Sequence, residues 1–198
     1  SLAEVIGQRQ VLGPEAPLTV MLEGGALSSL IFWGPPGVGK TTIAKLLSEK
    51  MGVKYVDLDN LIEKKTNLTV GELFKQKGEI YFRKVEHEIF KEVIQNDDNL
   101  IISTGGGTPC YADNYLFLNG NNSISIYLNA SLSVILDRLR SEKKTRPLVA
   151  NLSQEELKEF VAKHLFERSY FYNQATFKVT IDNKLPDVIV EEILQLLD

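Results

Sequence analysis

Gly34-Pro35-Pro36-Gly37-Val38-Gly39-Lys40-Thr41 matches the pattern G-x-x-x-x-G-K-[ST]. Its surroundings are the ones the pattern requires. Leu30-Ile31-Phe32-Trp33 is a continuous apolar run, as expected of a strand buried on both faces, and residues 40–50 carry Ile43, Leu46 and Leu47 at helical spacing. Glycines at such a turn let backbone N–H groups converge on phosphate oxygens, and the start of the helix adds the positive end of its dipole. Lys40 supplies a point charge, and Thr41 can offer a hydroxyl to Mg2+. A glycine-rich turn that happens to precede a lysine is the bland alternative. The order of the motif between a strand and a helix speaks against it, so a site for a nucleoside triphosphate is expected.

Outward from this loop the chain keeps alternating. Further strand patterns fall at 54–59, 99–103, 123–128 and 177–181, and helical patterns at 60–65, 70–77, 79–95, 131–140, 154–170 and 187–197. Strands separated by helices imply right-handed crossovers, hence an α/β fold with a five-stranded parallel sheet flanked by helices on both faces. Ligands of such sheets sit outside the carboxyl ends of the strands, where the motifs below all fall. Residues 1–28 differ: Gly13-Pro14, Pro17 and Gly24-Gly25 punctuate two short aliphatic pieces. They are expected to form a loop, with one helix near 17–23, appended to a domain spanning 29–198. Residues 141–147, Ser-Glu-Lys-Lys-Thr-Arg-Pro, are too charged to bury much and are expected to be a mobile surface segment.

Composition narrows the class. With 198 residues, 43% hydrophobic and 24% charged, the chain is an ordinary globular sequence, not a coiled coil or a disordered tract. Its net charge of −4 leaves no global positive field to collect nucleic acid or anionic membrane, so any anion must be held by a local site. The single cysteine, Cys110, allows no intrachain disulfide. There is no apolar run of the roughly 18 to 20 residues of a membrane span, and the start SLAEVIGQRQ lacks a basic segment followed by an apolar one. A soluble, cytoplasmic protein is expected.

Several residues carry candidate chemistry, each beside a duller reading. Asp57 and Asp59 close the second strand pattern; one could steer Mg2+ and the other orient an attacking hydroxyl, or both could be helix caps. Arg83 has Glu86 three residues on, the ordinary spacing of a surface ion pair. Gly105-Gly106-Gly107 follows the third strand and lets backbone approach a small ligand, or is a flexible turn. Arg146 could close over phosphates or be solvated, and Arg168 could grip a carboxylate in a fork or pair with a glutamate of its own helix. His87 and His164 have no partner at metal-ligand spacing, and Cys110 no visible base, so all three are expected to be structural or solvated.

Taken jointly, GVGKTT at 37–42, DLD at 57–59, GEIYFRKVE at 78–86, ISTGGG at 102–107, TRPLV at 145–149 and FERSYFY at 166–172 resemble the shikimate kinases. These are P-loop kinases of the nucleoside-monophosphate-kinase fold, and the resemblance covers residues 29–198. It implies ATP and Mg2+ as cofactors, and shikimate as the small-molecule partner of a monomer that needs neither nucleic acid nor membrane. By the same resemblance, Lys40 and the loop residues Gly37, Val38, Gly39, Thr41 and Thr42 bind the ATP phosphates. Thr41 and, through water, Asp57 hold the metal, and Asp59 contacts the hydroxyl to be phosphorylated and acts as its base. Arg83 and Arg168 clamp the substrate carboxylate, with backbone contacts from Gly105, Gly106 and Gly107. Arg146 closes on ATP from a lid at 141–153, Arg138 stacks on adenine, and helices at 60–95 hold the substrate. The chain departs from the family at Pro35, Pro36, Thr41 and Tyr170; threonine for serine at 41 keeps the hydroxyl, whereas Pro36 faces the acceptor side.

Residues 1–42 look instead like the start of AAA+ ATPases of the replication-associated recombination type, which suggests a chimera with its seam in the shared loop. Three functions therefore compete: a kinase acting on shikimate, with gluconate the nearest rival acceptor; a AAA+-type ATPase acting on DNA or a protein; and a nucleotide binder without turnover. A AAA+ engine needs an acidic pair at the end of an apolar strand, but the third strand pattern here runs into Ser103-Thr104-Gly105.

Overall fold

The computed structural model describes residues 29–95, 99–118, 123–141 and 152–197. The readings placed on 1–28, on Arg146 and on the body of the 141–153 lid fall outside these residues. Within them the expected architecture is present. Five strands, β1 (Ser29–Trp33), β2 (Lys54–Asp57), β3 (Leu100–Ser103), β4 (Ser123–Asn129) and β5 (Phe177–Thr180), form one sheet in the order β2-β3-β1-β4-β5. Every neighbouring pair is parallel, with Leu30 of β1 opposite Ile101 on one side and Ile124 on the other. The connections are carried by helices α1 (Lys40–Met51), α2 (Leu58–Thr66), α3 (Val70–Ile94), α4 (Leu132–Ser141), α5 (Gln154–Tyr172) and α6 (Pro186–Leu197). One further helical turn spans Asn114–Phe117.

β1 is central, and all five of its residues are buried. Because successive side chains leave a strand on opposite faces, its apolar run feeds two separate cores. Leu30 and Phe32 pack with Ile43 and Leu47 of α1, Ile135 and Leu139 of α4, and Ile189 and Ile193 of α6. Ile31 and Trp33 pack on the other side with Leu58 and Ile62 of α2 and Phe82, Ile89 and Phe90 of α3. Trp33 is fully buried, and its indole N–H has no hydrogen-bond partner among the described residues. Each such side chain removed from water contributes about 1.5–3 kcal/mol, so the apolar run that announces the strand also anchors both layers.

Two boundaries differ from the sequence pattern for stated reasons. β2 stops at Asp57 rather than at 59, because the Asp57 carboxylate accepts from the backbone N–H groups of Asp59 and Asn60 and starts α2 there. The two helical patterns at 70–77 and 79–95 are joined in α3, but Gly78 between them has φ 80° and ψ 171°, a break that keeps two helical directions. Thr69 and Glu72 close the start of α3 as a capping box. No helix among the described residues is long and apolar enough to cross a membrane.

Candidate active site

The carboxyl ends of β1, β2 and β3 converge on one cavity of about 310 Å3. The phosphate-loop side is lined by Gly37, Gly39, Lys40, Thr41 and Thr42, and the opposite side by Asp57, Asp59, Thr104, Gly105 and Gly106. Pro36 also lines it. The loop's course demands glycine at its first residue: Gly34 has φ 149°, and a Cβ there would stand 2.6 Å from the Leu128 carbonyl oxygen. The Val38 side chain is buried in the core beneath α1, so only its backbone is left to meet a ligand. Lys40 Nζ donates to the carbonyls of Gly34 (2.8 Å) and Pro35 (3.1 Å), which places the ammonium over the mouth of the loop. Arg138, on α4, donates from Nη1 to the Gly37 carbonyl at 3.2 Å. It therefore flanks the phosphate loop.

The two aspartates do not sit side by side on a strand. Asp57 is the N-cap of α2 and Asp59 lies in its first turn, so the capping reading holds for Asp57, and one of its oxygens is left to face the cavity. Its Oδ1 caps the helix, while Oδ2 accepts from Tyr55 (2.9 Å), Ser103 (3.2 Å) and, at long range, Thr41 (3.4 Å). The Asp59 carboxyl is pushed up to about 6, chiefly by burial and then by the negative charges of Asp57 and Glu86; the nearby Lys40 charge opposes this. A carboxylate so placed is a good proton acceptor near neutral pH. Thr41 and Asp57 present hard oxygens to the same space, and no group of three or more metal-ligating side chains occurs among the described residues. That donor set fits Mg2+, which is held by one or two protein oxygens together with phosphates and water.

On the acceptor side, Arg83 and Glu86 are indeed paired, Nη1 to Oε2 at 2.7 Å, but this is not the surface ion pair that the spacing suggests. Glu86 is fully buried and the Arg83 side chain is only 14% exposed. The second Glu86 oxygen accepts from the Thr108 hydroxyl at 2.6 Å, and a longer bond joins Arg83 Nε to Glu79. The triple glycine is needed for close approach. A Cβ on Gly107 would run into the Arg83 guanidinium, and one on Gly106 would stand 2.8 Å from the Gly34 carbonyl and 3.1 Å from the Tyr172 hydroxyl. Arg168 reaches the same loop from α5: it hydrogen-bonds the Tyr172 hydroxyl, which in turn donates to the Gly106 carbonyl at 2.6 Å. Both arginines are thus set against one glycine turn, and both raise the potential at Cys110 beside it. Burial nonetheless pushes the Cys110 thiol up to about 11, which suits no nucleophile. His87 is held by Asn114 and His164 by the Phe160 carbonyl.

Glu86, Thr108 and Tyr172 were not among the candidates from sequence. Glu86 left a signal: with Phe82, Ile89 and Phe90 it occupies the buried stripe of α3, where a carboxylate demands partners.

A phosphate loop on a parallel sheet, facing an acidic pair and a glycine turn against which two arginines are set, defines a P-loop kinase. The comparisons agree. The family model described as shikimate kinase matches residues 36–198, beginning inside the phosphate loop. The shikimate kinase of Flavobacterium johnsoniae is 49% identical over 171 residues, covering 86% of this chain and 99% of that protein. Among solved structures, the shikimate kinase of Bacteroides thetaiotaomicron is similar with a TM-score of 0.79 at 36% identity, over 86% of this chain and 98% of that one. That of Acinetobacter baumannii in complex with shikimate gives 0.80 at 29% identity, over 89% and 96%. The chain belongs to the shikimate kinase family.

Proposed function

We propose that the chain transfers the γ-phosphoryl group of ATP to the 3-hydroxyl of shikimate, giving shikimate 3-phosphate and ADP. The observation that carries this reading is the position of Asp59, between Lys40 of the phosphate loop and the glycine turn on which both arginines are fixed. Lys40 and the loop amides from Gly37 to Thr42 hold the phosphates. Asp59 accepts the hydroxyl proton as the alkoxide oxygen attacks phosphorus in line, and the bond to the β–γ bridging oxygen breaks to release ADP. Arg83 and Arg168 receive the acceptor's carboxylate, for which planar guanidinium forks suit better than lysines. Gly105, Gly106 and Gly107 supply backbone contacts. Arg138 flanks the adenine, and Arg146 with the 141–153 segment closes over ATP. Mg2+, held by Thr41 and through water by Asp57, would neutralise charge on the phosphates. The acting unit in this reading is a cytoplasmic monomer.

The AAA+-type reading has nothing at the end of β3 to activate water, since Ser103, Thr104 and Gly105 stand there. A coupled ADP-release assay with shikimate, with gluconate and with no acceptor tests the proposal. Turnover that requires shikimate is expected. Arg83→Ala and Arg168→Ala should each raise the KM for shikimate by more than tenfold with little effect on that for ATP. ATP turnover indifferent to shikimate would sink the reading.

A further inference from the structure

We propose that Thr108 is a positioning residue for the acceptor site: its hydroxyl fixes the buried Glu86 carboxylate and thereby the direction in which Arg83 presents its guanidinium. This rests on the assignment of Arg83 to the substrate carboxylate. A buried carboxylate beside an arginine tends to take two parallel N–H bonds from it. Here it takes one. Glu86 Oε2 accepts from Arg83 Nη1 at 2.7 Å, while Oε1 is held by the Thr108 hydroxyl at 2.6 Å. The single-bonded pairing leaves the Nη2 edge of Arg83, which lies against Gly107, for an incoming carboxylate.

Thr108 is itself fixed. Its carbonyl accepts from Asn114 Nδ2 at 2.8 Å, and Asn114 Oδ1 pairs with His87 Nδ1 at 2.6 Å, the ring nitrogen donating because an amide oxygen can only accept. His87 follows Glu86 on α3, so the chain of bonds leaves that helix at Glu86 and returns to it one residue later. Glu86, Thr108 and Asn114 are all fully buried. The segment between Thr108 and Asn114 carries two consecutive non-glycine residues at positive φ, Ala112 (48°) and Asp113 (58°), a course that needs such a tether. A hydroxyl on a backbone so fixed, donating to the carboxylate's second oxygen, gives Glu86 one orientation.

The test is steady-state kinetics on Thr108→Val, which keeps the shape and removes the donor, with Thr108→Ser as the conservative control. Thr108→Val should raise the KM and Kd for shikimate about tenfold, leave kcat and the KM for ATP within about twofold, and be rescued by Thr108→Ser. In the Arg83→Ala background, adding Thr108→Val should change the KM for shikimate no further. If valine is not accommodated, Thr108→Ala carries the same expectation. An unchanged KM for shikimate in the valine or alanine variant, a serine variant as impaired as the valine one, or equal losses toward ATP and shikimate would each overturn the proposal. Failure of Arg83→Ala to affect shikimate would instead remove the reading beneath it.

Discussion

Asp59 shows how a single side chain links rate to stability. Its carboxyl titrates near pH 6 in the folded chain against an ordinary 3.8. With Asp59 as the base, kcat/KM for shikimate should fall about tenfold per pH unit below about 6, because the acid form of Asp59 cannot take the hydroxyl proton. A flat profile between pH 5 and 7 would exclude that role. The stability sign runs the other way. Between about pH 4 and 6 the folded state binds more protons than the unfolded one, so this residue favours folding most at low pH, and that benefit is lost as pH rises through 6. Asp59→Asn should therefore abolish turnover while stabilising the protein at pH 7.5 by up to about 3 kcal/mol, measurable by denaturant titration. The functional candidacy of Asp59 was legible in the DLD motif. Its raised pKa was not, because that depends on burial in the fold and on the charges of Glu86 and Lys40, which arrive from distant segments.

The same separation can be made for an element. α2 begins where it does because of Asp57, and the oxygen that caps the helix is not the one that faces Thr41 and Ser103. Asparagine caps as well as aspartate does, but carries no charge. Asp57→Asn should thus leave stability within about 0.5 kcal/mol while raising the Mg2+ concentration needed for half-maximal rate. Asp57→Ala should lose about 1 kcal/mol as well. A stability loss in the asparagine variant equal to that of alanine would show that the charge, and not the cap, holds the helix. Elements were the most legible level of the sequence, since the periods of strand and helix differ and glycines punctuate them. What misled at 54–59 was a cap that ends the strand while Val56-Asp57-Leu58-Asp59 still alternates apolar and polar. What misled at Arg83 and Glu86 was that three-residue spacing looks the same on a buried face as on a wet one.

At the scale of the whole molecule, the five strands and their parallel sense were readable from the alternation of segments, whereas the order β2-β3-β1-β4-β5 was not. Which strands neighbour β1 is decided by how two apolar faces are covered at once, and no local pattern records that. The two cores lie on opposite faces of this sheet, so α1, α4 and α6 on one side and α2 and α3 on the other depend on the same central strand, while α5 packs on both through Leu165.

β1 ends in Trp33, the single tryptophan of the chain, fully buried and adjacent to the first residue of the phosphate loop. A lone fluorophore thus stands where the central strand meets the phosphate loop. Its emission should lie at the blue end of the indole range in the native protein and move to the red on unfolding. In urea that shift should coincide with the loss of far-ultraviolet circular dichroism, as one transition; two separated midpoints would mean that the layers melt apart. The residue that closes the hydrophobic run is thus also an optical gauge of the whole chain, readable without any label.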